Sequence, residues 1–585
     1  MKDTDLTNRE IIQEVWKFLR IYKISLFVSL TLLILSVPLT NFHPLVWGWV
    51  ADGLIESSLS QKSLFYWLIL MSATYFIGIL LHAIHSYLLE RSGQAFIRDI
   101  RSNIFRKFEA QSLNYHKNSS TGELVARITS DVDAMEQSVL QGFTSLLEEV
   151  VTFIIVAAMV LWISPLVGSL SILPLAFAFI FIKYYNKRVK TVYEAVRKQL
   201  GNIGSFVQDR LAGITITQIF TQETLEQKAF DKKADQFYQS SIQASRMRNT
   251  LMPLISSFGF INNLIMLGVG GWLILNGDTH FTIGALLAYR GFWWRLQSPI
   301  RTIAQTSDIA QRARAAAKRV MTLLREPIEI MGPEENESSS IVGKITFQNV
   351  HFNYPEGEPV LKDVSFTIHP NEFVAIAGSS GSGKSTLIHL ITRFYDCTSG
   401  EILVDDTPIK SFALKSLRTP MGLVGQENYL FDGTIDENIR YAKQEIDAQK
   451  IYLATQSSNA DSFIKNMPKA YDTHVGQNGL KLSGGQRQRI SLARTFITNP
   501  TILLLDEPTA SVEPESENVI YETILNRAKK KLGTTLLVTH RIDLLKQAPR
   551  ILFFDKGKLA GDNTHQNLIR NLDAYKEAYD QWKKE

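Results

Sequence analysis

Cysteine is nearly absent: one residue, Cys397, in a chain of 585. That excludes an internal disulfide framework and a multi-cysteine zinc site, and leaves Cys397 as a packed residue. An excess of charge of one sign is also missing. The chain carries 62 Lys and Arg against 57 Asp and Glu, a formal net charge of +5. No basic stripe interleaved with aromatics runs through it, so nucleic acid is not an expected partner. A cleavable leader is not expected at the N-terminus. Thr7–Lys23 is polar-amphipathic instead, with Trp16, Phe18 and Leu19 among Arg9, Lys17, Arg20 and Lys23. It reads as a helix lying in a membrane interface, residues 1–23. Long apolar runs, finally, are missing only from the second half. They crowd residues 1 to about 310, while the remainder reads as an ordinary α/β sequence, so one chain holds two domains.

Six segments are long and apolar enough to cross a bilayer as helices: Ile24–Trp49, Ser63–Leu89, Phe143–Ile163, Leu166–Tyr185, Leu251–Leu275 and Ile283–Ile303. Lys17, Arg20 and Lys23 precede the first span. Arg91, Arg98, Arg101, Arg106 and Lys107 follow the second, and Lys183, Lys187, Arg188, Lys190, Arg197 and Lys198 follow the fourth. Positive charge marks the cytoplasmic side, so both termini are expected there. Outer connections are short, at Asp52–Lys62, Ser164-Pro165 and Asn276–His280. The two inner ones are roughly 50 and 65 residues long, charged and helical by pattern, and connections of that length carry structure of their own. They read as spanning helices that continue past the bilayer, with a short transverse element at each tip. Within the spans, Arg290 and Arg295 stand among Tyr289, Phe292, Trp293 and Trp294; His82, His85, Glu148, Glu149, Asn262 and Asn263 are also intramembrane. A cationic, aromatic cavity for an amphiphile with an anionic head is one reading. Packed aromatics, arginines facing water or pairing with acids, and an interhelical Asn262-Asn263 hydrogen-bonding pair are the other.

Glu326–Ser340 has a linker's composition, with Pro327, Pro333, glutamates and serines. The domain boundaries read as 24–325 for the six-helix membrane domain, 326–343 for the linker and 344–585 for the soluble domain. Strand-like Lys344–Val350 opens an alternation of strands and helices, an α/β fold with a largely parallel core sheet. Its chemistry starts at Gly378-Ser379-Ser380-Gly381-Ser382-Gly383-Lys384-Ser385, between apolar Phe373–Ala377 and helix-forming Thr386–Ile391. This is the G-x-x-x-x-G-K-[ST] phosphate-binding loop, whose backbone N–H groups turn toward phosphates at a helix N-terminus. Lys384 would reach the β- and γ-phosphates, and Ser385 would hold Mg²⁺. Thr501–Glu507 reads as a buried strand ending in two acids; Asp506 suits Mg²⁺ and Glu507 suits a general base on the attacking water. Leu482-Ser483-Gly484-Gly485-Gln486 precedes another helix and forms a second anion-binding turn, about 100 residues on. Tyr354, just before the core, is an aromatic suited to stacking on adenine.

These residues together resemble the ATP-binding cassette (ABC) superfamily, and within it an exporter-type half-transporter. The resemblance covers nearly the whole chain. In the soluble half it rests on Gly378–Thr386, Gln426 in Val424–Glu427, Leu482–Gln486, Ile502–Glu507 and His540 in Leu537–His540. In the membrane half it rests on Ser120–Asp133, Asp209–Ile214, Phe220–Glu223, Pro299–Arg301 and Arg314–Val320. It implies a membrane all-α domain, six transmembrane helices with long cytoplasmic extensions, fused to an α/β P-loop ATPase domain. It implies ATP and Mg²⁺ as cofactors: Tyr354 on adenine, Gln426 at Mg²⁺ or the attacking water, and His540 on the γ-phosphate. Ser483 and Gly485 would contact ATP on the phosphate loop of a second chain, so the partner is another half-transporter, with two identical copies favoured. Coupling helices are implied near Tyr115–Thr121 and Phe220–Glu223. The implied activity is ATP-driven export or flipping of a lipid or amphiphilic drug-like molecule by alternating access, in a bacterial cytoplasmic membrane.

Three positions depart from the family pattern, the first being Arg290 in the sixth span, to which the resemblance assigns no role. Glu513 stands where Asp is usual, and Gly476-Gln477-Asn478-Gly479 stands where Gly-Glu-Arg-Gly is usual. Competing readings are one half of an asymmetric pair, an importer or ATP-gated channel on the same scaffold, and a soluble DNA-repair or chromosome-organising ATPase. The six apolar spans argue against the last.

Overall fold

The computed structural model describes residues 7–138, 142, 144–277, 281–333, 340–355, 357–426, 428–509 and 512–583. Residues 143, 278–280, 334–339, 427 and 511 therefore lie outside the description. With them go the start of the third expected span, part of the last short connection, the middle of the linker and the last residue of Val424–Glu427. The chain divides into two compact units. One comprises Met1–Glu109 and Thr121–Glu326, the other Ala110–Ser120 and Pro327–Glu585.

The first unit is helical. Asn8–Leu19 opens it, started by a reciprocal cap between Thr7 and Glu10. Its Ile12 and Trp16 are exposed, while Glu14 receives an ion pair from Arg325 at 2.6 Å. The first expected span is broken into Lys23–Thr40 and His43–Ile55. Five longer helices follow. Gln61–Ala110 has 50 residues, Thr144–Ile163 has 20, Pro165–Ala212 has 48, Glu223–Leu275 has 53 and Ile283–Arg325 has 43. A 50-residue helix is about 75 Å long, against about 30 Å of hydrocarbon, so the longest helices must project well past a bilayer. By length and apolarity, four helical segments among the described residues qualify as spans: Arg9–Ile55, Gln61–Ala110, Thr144–Ile163 and Ser256–Leu275. The expected fourth span is the start of the helix Pro165–Ala212, apolar over Pro165–Phe181 among the described residues. The expected sixth is part of a helix that carries Arg290 and Arg295.

Short helices stand in both long connections: Leu113–Asn118, which belongs to the second unit, and Ile214–Ile219, which belongs to the first. The second lies upstream of the expected Phe220–Glu223. Phe220 ends it, Thr221 has φ +52° and a new helix starts at Glu223, so those four residues are the corner itself. The apolar core of this unit gathers Leu45, Val156, Val160, Met266, Tyr289, Phe292 and Trp293.

The second unit has two sheets. The antiparallel one joins β1 (Ile345–Asn353), β2 (Pro359–Ile368), β4 (Ser399–Val404) and β5 (Thr407–Pro408) in the order β2-β1-β4-β5. The other joins β3 (Phe373–Gly378), β6 (Met421–Val424), β7 (Ile502–Asp506), β8 (Thr534–Val538), β9 (Arg550–Asp555) and β10 (Lys558–Asn563), in the order β10-β9-β3-β8-β7-β6. It is parallel except for β10. Strands β3, β7 and β8 are buried along their whole length, as a sheet covered on both faces requires. Alternate residues feed two cores. Val374, Ile376, Leu504 and Leu536 face one; Ala375, Ala377, Leu505 and Leu537 face the other. A third core, around Leu430, Ile439, Ile464, Leu482 and Ile490, belongs to a separate group of helices.

Candidate functional site

Strand register brings most of the expected residues to one edge. On β8, Val538 pairs with both Ile376 of β3 and Asp506 of β7. All three strands are parallel, so the chain leaves them at one level. Gly378 and His540 come two residues beyond that level, and Glu507 one. Ligands bind outside the carboxyl ends of such a sheet.

The loop after β3 needs its glycines. A Cβ on Gly378 would meet the Phe554 carbonyl oxygen at 2.2 Å; Gly383 has φ +99° and caps the helix Lys384–Ile391. Lys384 donates through Nζ to the Gly378 and Ser379 carbonyls at 3.0 and 2.9 Å. Burial lowers its pKa, opposed by Glu507 and Asp506. Asp506 shows the mirror effect: burial raises its carboxyl above the ordinary range, the Ser385 hydroxyl opposes, Glu507 adds and Lys384 subtracts. Its Oδ1 is buried without a hydrogen-bond partner among the described residues. A hard oxygen with an open lone pair beside a hydroxyl suits a divalent cation such as Mg²⁺.

Glu507 is the centre of the edge. Its Oε1 lies 3.3 Å from His540 Nδ1, and its Oε2 accepts from Gln426 Nε2 at 3.4 Å. Its backbone is left-handed, φ +49°, a strain that concentrates at functional positions. Tyr354 is held from below: its hydroxyl meets Thr386 Oγ1 at 3.0 Å and His389 Nδ1 at 3.3 Å. Phe352 and Tyr395 meet its ring edge-to-face, and Lys117 Nζ sits 5.9 Å from the ring centroid.

Ser483, Gly484, Gly485 and Gln486 are not part of this edge. Ser483 Oγ accepts from the Gln486 backbone N–H at 3.2 Å, and Gln486 Oε1 accepts from the Ser483 N–H at 3.0 Å. That reciprocal cap starts the helix Gly484–Phe496, seated on the third core. Ser483 itself is exposed.

In the membrane half, Tyr289, Phe292 and Trp293 are buried in the core and Trp294 is exposed, so the aromatic run is mostly packing. Arg290 and Arg295 are exposed and make no ion pair among the described residues. His82 lies 3.7 Å from Glu148, and Thr302 donates to Glu149 at 3.4 Å. Asn262 of Glu223–Leu275 lies against Tyr289 of Ile283–Arg325, so it faces another helix. Asn262 Oδ1, Ser171 Oγ and the Tyr289 hydroxyl are neighbours, yet each is buried without a hydrogen-bond partner among the described residues.

Several contacts have no sequence signal. Gln488 donates to the Glu507 carbonyl, and Asp52 accepts from Thr282 and from the Gly284 N–H. Asp131 and Arg319 had a faint one, since both lie in family-like segments; Arg319 Nε donates to Asp131 Oδ2 at 2.8 Å.

Residues 361–510 match the family model described as ABC transporter, and residues 26–299 match the one described as ABC transporter transmembrane region. The chain is 31% identical over 576 residues to the "Putative multidrug export ATP-binding/permease protein YgaD" of Bacillus subtilis, covering 97% of this chain and 99% of that one. A like-named protein of Staphylococcus aureus is 31% identical over 579 residues, with the same coverage. A solved structure of a bacterial Atm1-family ABC exporter with ATP bound aligns over 98% of both chains, with a TM-score of 0.74 and 24% identity, and so shares the fold.

Proposed function

From the premise that this chain belongs to the ABC transporter family, as an exporter-type half-transporter that couples ATP hydrolysis to export, we propose a specific division of labour among its residues. Two identical copies form the working unit, and each ATP lies between the phosphate loop of one copy and the Ser483–Gln486 turn of the other. The observation that carries this is the separation within the ATPase unit: the loop after β3, Asp506, Glu507 and His540 stand at the carboxyl edge of the parallel sheet, while the turn seats on a different core.

On that edge Tyr354 stacks on adenine, steadied by Thr386 and His389. Gly378–Thr386 wrap the phosphates, with Lys384 against their negative charge. Glu507 accepts the proton of the attacking water, and His540 holds both Glu507 and the γ-phosphate. Ser385, Gln426 and Asp506 would hold Mg²⁺, which would neutralise charge at the phosphates. Closure of the ATPase units on ATP then biases the spans, with Leu113–Asn118 and Ile214–Ile219 as the transmitting elements. The cargo is a lipid or amphiphilic molecule with an anionic group; Arg290 and Arg295, exposed in the span helix and without an ion pair among the described residues, favour that class. The chain is a multi-pass membrane protein, and we assign it to a bacterial cytoplasmic membrane with both termini inside.

The test is ATPase activity of the purified chain alone, reconstituted in lipid, with candidate amphiphiles and against Glu507→Gln. Substrate-stimulated hydrolysis from one chain type, lost by at least about a hundredfold in the variant, is the expected result. Activity that appears only with a second, different chain overturns the identical-copy reading.

A further inference from the structure

Gln488 and Arg489 are consecutive residues early in the helix Gly484–Phe496, and both are buried, 1% and 6% exposed. Gln488 donates from Nε2 to the carbonyl oxygen of Glu507 at 3.2 Å. The Glu507 N–H donates to the Val538 carbonyl at 3.1 Å, so both backbone groups of this left-handed residue are tied down. Arg489 donates through one terminal nitrogen to the Asn459 carbonyl at 3.1 Å and to Ser516 Oγ at 3.0 Å. Its guanidinium lies 4.6 Å from the centroid of Phe463, and its other terminal nitrogen pairs with Glu513 Oε2 at 3.7 Å. The two side chains therefore hold Glu507 and Glu513 from one helix.

A second buried carboxylate continues the network. Glu517, 4% exposed, accepts from Thr509 Oγ1 at 2.8 Å and from Arg541 at 2.8 Å, and Thr509 also meets the Tyr521 hydroxyl. Arg541 directly follows His540 in the chain. Buried charges of this kind are costly to desolvate, and replacing them with apolar residues is often neutral or favourable for stability. What they supply here is geometry: Glu517 holds Thr509 and Arg541, close in sequence to Glu507 and His540, and Arg489 holds Glu513 and Ser516 further along the same stretch.

We infer that Arg489 and Glu517 are positioning residues for ATP hydrolysis, which fix Thr509 and Glu513 on either side of the stretch that follows Glu507 and, with Gln488 on the Glu507 carbonyl, tie the Ser483–Gln486 turn to the Glu507 of the same chain. Together with the proposed sharing of ATP between two copies, on which this second half rests, the tie links the two sites. The half-site a copy lends to its partner is mechanically joined to the base it uses on its own nucleotide. Arg489 acts through Glu513 and Ser516, Glu517 through Thr509 and Arg541, and neither touches the reacting atoms.

The test uses the full-length protein in lipid with two readouts, backbone hydrogen exchange and steady-state ATPase. In Arg489→Met, exchange across residues 507–513 is expected to quicken about tenfold while the strands on either side keep their protection. The kcat is expected to fall about tenfold, with the KM for ATP within about twofold of wild type. Arg489→Lys keeps the charge but not the planar fork, and recovers only part of the rate. Unchanged exchange at 507–513 overturns the inference, as does a fall in kcat accompanied by lost protection throughout the domain. Should Arg489→Met fail to fold, Glu513→Gln removes one grip from the exposed side. It must lower kcat about two- to threefold at an unaltered melting temperature, and wild-type kinetics there overturn the inference too. A wild-type chain without ATPase activity overturns the functional reading instead, and the exchange arm still decides the positioning claim.

Discussion

His389 sits on the phosphate-loop helix, half-buried, with Nδ1 at 3.3 Å from the Tyr354 hydroxyl. Burial lowers its pKa below the ordinary 6.5, and Lys117 lowers it further. The unfolded chain therefore takes up the proton first as pH falls. The stability contributed by neutral His389 is complete above about pH 6.5 and is lost progressively as pH drops to the depressed folded value. Melting temperatures measured from about pH 7.5 to 5.5 are expected to decline over that window, and His389→Gln to flatten the decline. A decline of equal slope in the variant refutes the assignment. Tyr289 poses the opposite case. Its hydroxyl is buried without a hydrogen-bond partner among the described residues, beside Ser171 and Asn262. Removing an unpaired buried hydroxyl relieves a desolvation cost, so Tyr289→Phe is expected to be neutral or stabilising by about 1 kcal/mol. Thermal melts in lipid check this, and a drop of several degrees shows the hydroxyl to be paired.

At the scale of elements, one close contact joins two helices of the membrane half. Gly48 of His43–Ile55 lies against Gly284 of Ile283–Arg325; a Cβ on Gly284 would meet the Gly48 carbonyl oxygen at 2.1 Å and Asp52 Oδ2 at 2.4 Å. Asp52 in turn accepts from Thr282 Oγ1 at 2.6 Å and from the Gly284 N–H at 2.7 Å, capping the second helix from the first. Gly284→Val is expected to force the backbones apart at a cost of about 3 kcal/mol or more, and Asp52→Ala to cost about 1 kcal/mol through the lost cap. Thermal melts of both variants in lipid rank them; equal stability of Gly284→Val and wild type contradicts the contact. Nothing in the sequence announces this pair, because a lone Asp and two distant glycines have no periodicity. The same limit explains Gln488 on the Glu507 carbonyl: the contact exists only once β7 and the helix Gly484–Phe496 have been brought together. What was legible is what local chemistry dictates. Strand, glycine turn and helix around Gly378–Ser385 follow from adjacent residues, and so do the buried run Ile502–Asp506 and the capped turn at Ser483. The second tip helix was misplaced by a few residues because Ile214–Ile219 is too short for a helical period to show, whereas the corner at Phe220–Gln222 resembled a motif.

For the whole molecule the question is whether the two halves of an ATP site meet within one chain or between copies. The Ser483–Gln486 turn completes its own hydrogen bonds and rests on the third core, while Gly378–Ser385 leaves β3 at the sheet edge. Its single cysteine makes the chain convenient for an answer. Cys397 is half-buried and donates weakly to the Gly400 carbonyl at 3.4 Å, so Cys397→Ala removes little. In that background, Ser380→Cys and Ser483→Cys place one thiol on each half-site, and Glu507→Gln keeps ATP from being consumed. A short bifunctional maleimide is then expected to link two copies when ATP and Mg²⁺ are present, and to yield mainly monomers with ADP. Either single-cysteine variant alone should give little dimer under both conditions, because identical half-sites do not face each other in a head-to-tail pair. Linkage within one chain, read as a monomer of altered mobility, contradicts the shared site, and so does a dimer band indifferent to nucleotide. A nucleotide-dependent band that needs both thiols makes ATP the element that joins two copies, which is how one cassette per chain comes to work as a pair.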